Sequence, residues 1–327
     1  MVDRRAKIEG CLLGTAVGDA LGLPFEGLSR AIVKKRLTPQ RFHLVGATGF
    51  VSDDTEQNAL LGQALTRRSD GEAVVVGAFR RSLLGWFLRL PFGIGLATLR
   101  SCLKLLIGLR DSGVNSAGNG AAMRSMILGA VVDDRAQRVR LAEAIARVTH
   151  VDERAVAAAV FVADVAAGDI DALSHVKEPQ LRAKLDRAAD LADDVVDNVE
   201  ALVDAAAKEL GTSGFVLESV PFSYFCFLRF GPTFDAVLHA IKGGGDADTN
   251  GAIVGGWVGA WSPEQIPVKL VDNLAGGPFG ATHLRALATA LATETKAPSW
   301  SPTVALLRNL MLYPVVLAHG FRRLLPF

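Results

Sequence analysis

Cysteine is scarce in this sequence, which has only Cys11, Cys102 and Cys226 among its 327 residues. The three lie far apart in apolar segments, so they indicate neither a disulfide framework nor a zinc site. Buried, reduced thiols in a cytoplasmic protein are therefore the expectation.

An excess of charge of one sign and long apolar segments are also lacking. The formal net charge of +1 excludes a global electrostatic attraction for nucleic acid or an anionic membrane. No segment of about 18 uninterrupted apolar residues occurs, so no membrane span is expected. Aromatic residues make up only 7% of the chain, whereas glycine occurs 33 times. Many small residues and few aromatic ones indicate elements that approach each other closely.

Apolar residues recur mostly at helical spacing, and alternating strand-like segments are scarce. The sequence therefore predicts an all-α fold, a compact single-domain orthogonal bundle of a dozen or more helices. Segments with this spacing include 141–148, 154–165, 191–210 and 234–241. Helix breaks are predicted at Pro24 and at 46–49, 111–120, 211–214 and 243–245.

Glycine recurs every four residues in two of these segments, so each set shares one face of a predicted helix. Glycine inside a helix costs about 0.5–1 kcal/mol relative to alanine, and seven such positions need a reason. Tight helix packing alone is one explanation, and a shared floor beneath a binding site is the other. The two sets are Gly10, Gly14, Gly18 and Gly22, and Gly251, Gly255 and Gly259.

Two acidic clusters far apart in the chain stand at predicted helix starts. Residues 52–56 are Ser-Asp-Asp-Thr-Glu, and residues 243–250 are Gly-Gly-Gly-Asp-Ala-Asp-Thr-Asn. Helix capping alone could explain each, with Asp53 and Glu56 as a capping box in the first. Adjacent carboxylates, however, repel each other unless a proton or a cation lies between them. The carboxylates of Asp53, Asp54, Asp246 and Asp248 and the hydroxyls of Ser52 and Thr249 make four carboxylates and two hydroxyls, which suit two hard divalent cations.

A glycine-rich turn and three single residues are further candidates. Residues 116–124 contain a Gly-Asn-Gly turn, which either presents backbone N–H groups to an anion such as pyrophosphate or simply starts a helix. Glu26 is a loop acid, which is commonly just solvated. His150 ends a predicted helix, where a histidine often interacts with the helix dipole. Asp19 lies within an apolar helix and needs a partner if it is buried.

In this order the motifs resemble those of the ADP-ribosylglycohydrolase family, across roughly residues 8–260. The matching segments are the opening helix 10–22, the first metal motif 52–55, the diphosphate loop 118–124, Thr149-His150, and the second metal motif 244–249. The resemblance implies an all-α fold with a binuclear Mg²⁺ or Mn²⁺ centre. The implied metal ligands are Ser52, Asp53, Asp54, Asp246, Asp248 and Thr249. The implied substrate-binding residues are Gly118, Asn119, Gly120, Met123 and His150.

The resemblance further implies a metal-dependent hydrolase of the N- or O-glycosidic bond between ADP-ribose and a protein side chain or small molecule. A metal-activated water would attack C1 of the distal ribose, with Glu26, Asp246 and Asp248 as catalytic residues. The alternatives are a catalytically silent ADP-ribose-binding member and a two-metal hydrolase of another nucleotide-like substrate. No nucleic-acid partner is expected, and the protein is expected to be a monomer or a homodimer.

Two segments depart from the resemblance. The loop 90–95 carries no acid, whereas some arginine-directed members have one nearby, so the acceptor linkage stays open. After the expected catalytic domain, residues 1–296, the segment 297–327 is apolar and basic. We expect this extension to form a helix packed on the catalytic domain or at a subunit interface. Membrane-surface contact is less favoured, because Asn309 and Pro314 interrupt the apolar run.

Overall fold

Two long buried helices touch backbone to backbone in the computed structural model, which describes residues 2–324. They are α1 (Arg4–Gly22) and α13 (Ala247–Trp261). A Cβ atom at Gly14 would lie 2.0 Å from the carbonyl oxygen of Gly255, a distance that no side chain permits. The predicted close packing of the glycine-striped helices is therefore confirmed.

The two glycine-striped helices run antiparallel, since residue numbers rise along one helix as they fall along the other. The facing pairs are Gly10 with Gly259, Gly14 with Gly255, Gly18 with Gly251 and Gly22 with Ala247. The C-terminal end of α1 consequently lies beside the N-terminal end of α13. This arrangement brings the loop of Glu26 next to the second acidic cluster.

Fourteen further α-helices surround this pair, and the described residues contain no β-strand. The predicted all-α class, with a dozen or more helices, is confirmed. The surrounding helices are α2 (Arg30–Arg36), α3 (Asp53–Leu65), α4 (Glu72–Phe87), α5 (Leu96–Leu106), α6 (Met126–Val131), α7 (Arg135–Ala146), α8 (Glu153–Ala167), α9 (Pro179–Asp193), α10 (Val199–Leu210), α11 (Val216–Phe230), α12 (Phe234–Lys242), α14 (Val268–Asp272), α15 (Ala281–Ala292) and α16 (Pro302–Leu324).

The first helix contains a long apolar segment. Among residues 2–324, the segment Arg4–Phe25 is the one helix long and apolar enough to cross a membrane. However, 94% of its most apolar window is buried inside the protein. Its place in the core accounts for its composition, because core helices are apolar on all sides.

The cysteines are buried as the sequence predicted. Cys11, Cys102 and Cys226 are free thiols inside the fold. Burial raises the pKa of Cys11 to about 12, so this thiol stays protonated and unreactive at neutral pH.

The prediction of one helical run across 191–210 is wrong. α9 ends at Asp193, and α10 begins only at Val199. Asn198 starts the new helix, because its side chain accepts a hydrogen bond from the backbone N–H of Ala201 at 3.0 Å. A polar cap therefore interrupts apolar spacing that continues on both sides of it.

The C-terminal helix α16 packs beside the first acidic cluster. Leu312 is buried in an apolar cluster with Leu23 and Phe92. The domain limit at 296 and any subunit contact of the extension stay predictions. Parts of that prediction lie outside the described residues, namely the side chains of Arg322 and Arg323 and residues 325–327.

Candidate metal centre and ligand cleft

A single cleft brings together every residue that the sequence predicted for the site. It lies where the C-terminal end of α1 meets the N-terminal ends of α3 and α13. Its volume of about 520 Å³ suits a small-molecule ligand. The predicted residues that line it are Glu26, Ser52, Asp53, Asp54, Gly118, Asn119, Gly120, Met123, His150, Asp246, Asp248 and Thr249.

The first acidic cluster forms the N-terminus of α3, with Ser52 as the capping residue. The Ser52 hydroxyl accepts from the backbone N–H of Asp54 at 3.3 Å and donates to Asp54 Oδ2 at 3.1 Å. The capping box of Asp53 and Glu56 does not form. Instead, the Glu56 carboxylate accepts a hydrogen bond from the indole N–H of Trp86 at 2.5 Å.

Asp19 supports the first cluster from inside the core. Its Oδ2 accepts from the backbone N–H groups of Ser52 at 2.9 Å and Thr55 at 3.1 Å, and from the Thr55 hydroxyl at 2.5 Å. Burial raises the pKa of Asp19 to about 6, although these hydrogen bonds oppose the shift. The partner that a buried Asp19 requires is therefore the segment that carries the predicted ligands.

Thr249 joins the two clusters across the cleft. Its hydroxyl, on the first turn of α13, donates to Asp54 Oδ2 at 3.3 Å. The Ser52 hydroxyl donates to the same carboxylate oxygen. Hydroxyls from two segments far apart in sequence thus converge on one aspartate.

Three carboxylates form the other half of the centre. Glu26, Asp246 and Asp248 each place an oxygen within 4.8 Å of the other two. Asn119 orients one of them, because its side-chain amide donates to Asp246 Oδ2 at 2.6 Å. The predicted catalytic acids are therefore neighbours, and Asn119 of the predicted ligand loop contacts Asp246 directly.

Two buried carboxylate oxygens in the cleft, Asp54 Oδ1 and Asp248 Oδ1, have no hydrogen-bond partner among the described residues. Burial raises the pKa of both groups well above the usual range. The neighbouring carboxylate of Asp53 raises the pKa of Asp54 further, and that of Glu26 raises the pKa of Asp248 further. Buried charges without partners are costly, and a cation would supply the missing partner. Carboxylates and hydroxyls are ligands that Mg²⁺ and Mn²⁺ prefer, so the donor set fits a divalent-metal centre.

The glycine-rich turn leads into a short 3₁₀ helix, Asn119–Arg124. Two backbone N–H groups of this turn are already hydrogen-bonded within the protein. The Gly118 N–H donates to the Ser116 hydroxyl at 3.3 Å, and the Asn119 N–H donates to the Gly214 carbonyl at 3.0 Å. These two hydrogen bonds fix the conformation of the turn, so a ligand would have to bind to its other backbone and side-chain groups.

His150 packs against this turn as an uncharged ring. A Cβ atom at Gly120 would lie 3.0 Å from His150 Cε1. Burial and the nearby Arg124 guanidinium lower the pKa of His150 to about 3. Because a neutral imidazole gains little from a helix dipole, the dipole interpretation of His150 is not supported.

Sequence reasoning missed the central position of Arg124. This fully buried guanidinium donates to Gln57 Oε1 at 3.0 Å, the Gly120 carbonyl at 2.9 Å and the Thr149 hydroxyl at 2.5 Å. Burial lowers its pKa to about 10, so it stays charged at neutral pH. A single arginine inside the apolar segment 121–132 was the available signal, since a buried charge needs partners.

The loop 90–95, which the sequence analysis noted for its lack of an acid, leads into a wall of the cleft beside Asp53. A Cβ atom at Gly93 would lie 3.2 Å from Asp53 Oδ1, and the φ angle of +79° at Gly93 favours glycine. This wall carries no charged side chain, and small residues in a loop give a weak signal in a sequence. The residues from this segment that line the cleft are Gly93, Gly95, Leu96, Ala97 and Thr98.

Comparison with known proteins agrees with this geometry. A sequence model of the ADP-ribosylglycohydrolase family matches residues 1–300. The chain belongs to the ADP-ribosylglycohydrolase family. The resemblance seen in the motifs is therefore confirmed, and membership supports hydrolysis of glycosidic bonds in general.

Relatives of this chain cover most of its length. An uncharacterized protein of Archaeoglobus fulgidus is 31% identical over 303 residues, which span 87% of this chain and 95% of the relative. The uncharacterized protein YegU of Escherichia coli K12 is 30% identical over 302 residues, spanning 78% and 87%. A solved structure described as an ADP-ribosylglycohydrolase-related protein complex superposes with a TM-score of 0.68 at 25% identity. That match covers 89% of this chain and 99% of the other.

Proposed function

We propose that this protein hydrolyses the N- or O-glycosidic bond between ADP-ribose and a modified protein side chain or small molecule, in a metal-dependent reaction. The observation that carries the proposal is the pair of buried, partnerless carboxylate oxygens on Asp54 and Asp248 in one cleft. Buried polar atoms of purely structural networks are almost always hydrogen-bonded. Oxygens left open on both acidic clusters therefore favour a cation site over helix capping.

Six residues would hold two Mg²⁺ or Mn²⁺ ions in this proposal. When bound, such ions supply Lewis acidity towards the distal ribose and lower the pKa of water. The clusters are already held together by the hydroxyl of Thr249 on Asp54, so little rearrangement is needed to complete the centre. The proposed ligands are Ser52, Asp53, Asp54, Asp246, Asp248 and Thr249.

The carboxylates have a second task at the scissile bond. Glycosidic cleavage passes through a positively charged, oxocarbenium-like sugar, which nearby negative charge stabilises. Glu26, Asp246 and Asp248 concentrate that charge at one place. The bond from Asn119 to Asp246 Oδ2 fixes this carboxylate, and its other oxygen is left to accept a proton from the attacking water. Asp248 is the alternative proton acceptor, on the same side of the cleft.

The turn 118–124 and His150 are proposed to hold the ADP-ribose diphosphate and its neighbouring groups. Because the N–H groups of Gly118 and Asn119 are already bonded, the diphosphate must use the other groups of the turn. Met123 and the neutral His150 ring provide uncharged packing surface beside them. The uncharged wall 93–98 offers no ion pair to a cationic acceptor such as ADP-ribosylated arginine.

The proposal is tested by a substrate panel of ADP-ribosylated arginine and serine peptides and O-acetyl-ADP-ribose. Release of free ADP-ribose is expected from at least one of them with Mn²⁺ or Mg²⁺, and it should stop in excess chelator. Full activity in chelator would refute the metal role. The Asp246→Ala variant should lose turnover, because it removes both a proposed ligand and a proton acceptor.

A result without turnover would point to one of the other readings. If no panel member is cleaved but ADP-ribose raises Tm only in the presence of Mn²⁺, the protein is a silent ADP-ribose-binding member. If ADP-ribose does not raise Tm under any condition while Mn²⁺ still binds, the substrate is a different nucleotide-like molecule.

A further inference from the structure

Arg308 lies behind the first acidic cluster, on a helix that begins after the part of the chain matching the family. Its Nη1 donates to the Glu56 carboxylate, and its Nη2 donates to the Val51 carbonyl at 2.8 Å. Val51 directly precedes the predicted ligands 52–54, and Glu56 follows them within the same helical turn. One guanidinium therefore holds the chain on both sides of the first metal segment.

The ion pair between Arg308 and Glu56 is buried, with side-chain exposures of 11% and 4%. The second oxygen of Glu56 accepts from the Trp86 indole, so α4 and α16 each hold one oxygen of this carboxylate. Breaking a buried pair by removing one partner leaves an uncompensated charge. Loss of Arg308 would leave that charge one helical turn from Asp53.

The same helix also holds the loop that faces the first cluster. Asn309 donates to the Arg89 carbonyl at 2.8 Å, and the Tyr313 hydroxyl donates to the Pro91 carbonyl at 3.2 Å. Both carbonyls lie just before Gly93, which lines the cleft. α16 thus contacts the two chain segments that lead into the cleft-lining residues 52–54 and Gly93.

We propose that Arg308 is a positioning residue of the metal centre, which sets the place of residues 52–54 through Val51 and Glu56. The proposal rests on the proposed function, since it takes residues 52–54 to be metal ligands. Among the described residues, those that line the cleft do not include Arg308. Its effect on the centre is therefore indirect.

An effect of Arg308 through its charge and an effect through positioning the ligands predict opposite changes in Mn²⁺ affinity when Arg308 is replaced. A positive charge near a cation site repels the cation, so charge alone predicts tighter Mn²⁺ binding after its removal. A positioning role predicts weaker binding, because the ligands lose their fixed geometry. Residues that orient metal ligands typically change metal affinity by about 10–100-fold when they are replaced.

The experiment compares Mn²⁺ affinity by calorimetry in the full-length wild type and in two variants of Arg308. Arg308→Met keeps the apolar stem and removes both hydrogen bonds, and we expect about tenfold weaker binding. Arg308→Lys keeps the charge but cannot form the two-armed contact, so we expect a smaller loss. Tm is measured for each protein without metal.

Arg68 provides the matched control. Its side chain is 13% exposed, and it donates to the Glu294 carboxylate and to the Leu291 carbonyl, away from the cleft. Arg68→Met likewise removes the cation of an arginine–glutamate pair, but Glu294 is 65% exposed, so Tm should fall less than in Arg308→Met. Its Mn²⁺ affinity should stay at the wild-type value.

Each outcome decides the matter. Wild-type or tighter Mn²⁺ binding by Arg308→Met overturns the positioning role, and so does an equal loss of affinity in Arg68→Met. If Arg308→Met does not fold, unchanged affinity in Arg308→Lys overturns it. A wild-type protein that binds no Mn²⁺ refutes the metal centre itself and this role with it. Binding without turnover refutes only the proposed reaction and leaves the test of Arg308 intact.

Discussion

The two acidic clusters of this protein resemble each other in sequence, yet different contacts hold them in place. The first is held by polar side chains, with Asp19 accepting from the backbone N–H groups of Ser52 and Thr55. The second is held by backbone contact, since a Cβ atom at Gly22 would lie 2.5 Å from the Asp248 Cα. Two clusters of similar acidic residues are thus held in place by different interactions, hydrogen bonds in the first and backbone packing in the second.

The difference predicts how each cluster fails. A network of hydrogen bonds loses its members one at a time, so substitutions should reduce metal affinity by degrees. Backbones in contact leave no room for one added carbon, so substitutions should reduce stability first. The four predictions below test this contrast, from the largest expected effect to the smallest.

Gly22→Ala should have the largest effect. The added methyl group would meet the Ala247 carbonyl oxygen at 2.4 Å, so we expect a loss of at least about 3 kcal/mol in the free energy of unfolding. Gly77→Ala on α4 is the control, because its Cβ would meet only a flexible arginine end at 3.5 Å. That change should stabilise the protein by about 0.5–1 kcal/mol in denaturant titrations. Equal effects of both changes would contradict the packing argument.

Asp54→Asn should abolish the rise in Tm that Mn²⁺ produces, with little change in the fold. The carboxylate is the point where the hydroxyls of Ser52 and Thr249 converge, and its other oxygen has no protein partner. We expect ADP-ribose release to fall at least about 10²-fold. Asp190→Asn on the exposed face of α9 should leave both measurements unchanged. A normal Mn²⁺ shift in Asp54→Asn would exclude this residue as a ligand.

Asp19→Asn should weaken Mn²⁺ binding by about 10–100-fold without abolishing it. In the wild type, the Ser52 N–H and the Thr55 hydroxyl donate to the Asp19 carboxylate. An asparagine amide can accept through only one of its two side-chain atoms, so one of its N–H groups would face a donor. Thr55→Val removes only one of these hydrogen bonds, so its loss of affinity should be smaller. A larger loss of Mn²⁺ affinity in Thr55→Val than in Asp19→Asn would contradict the view that each hydrogen bond of this network adds to the metal affinity.

Stability without metal should fall as the pH rises from about 6.5 to about 8, a range above that in which the buried, neutral His150 gives the opposite slope. The pKa of Asp19 is raised to about 6 and those of Asp54 and Asp248 well above the usual range, whereas unfolded aspartates titrate near about 4. A raised folded-state pKa contributes stability below the unfolded value, and that stability is lost as the pH rises through the folded value.

The measurement is Tm in chelator and in Mn²⁺ across this pH range. We expect Tm to fall by several degrees in chelator and to hold steady in Mn²⁺, because bound cations remove the repulsion between carboxylates. The Asp19→Asn variant should show a smaller fall. A Tm in chelator that rises with pH would contradict the raised pKa values.

Much of the site was accessible from the sequence, because its motifs are short and local. Glycines four residues apart stay on one face of a helix, which was enough to predict that α1 and α13 pack closely. Adjacent acids such as Asp53 and Asp54 need a cation or a proton, and this need indicated a shared centre. By contrast, the break between α9 and α10 was missed, since the cap at Asn198 lies inside apolar spacing that continues on both sides.

The residues that sequence reasoning missed act through distant partners. Arg124 and Arg308 look like isolated charges in apolar segments, and their roles appear only when Gln57 or Glu56 is brought beside them. The loop near Gly93 drew attention only by its lack of an acid, and its place in the wall of the cleft appeared only in the structure.

Local chemistry in the sequence by itself determined the helical class, the glycine faces and the two groups of acids, because neighbours along the chain decide these properties. Only the tertiary structure decided that Thr249 reaches Asp54, that Asp19 and Glu56 support the first cluster, and that α16 holds it from behind. Those contacts join residues far apart in the chain. Their geometry depends on how whole helices pack, and no short segment encodes it.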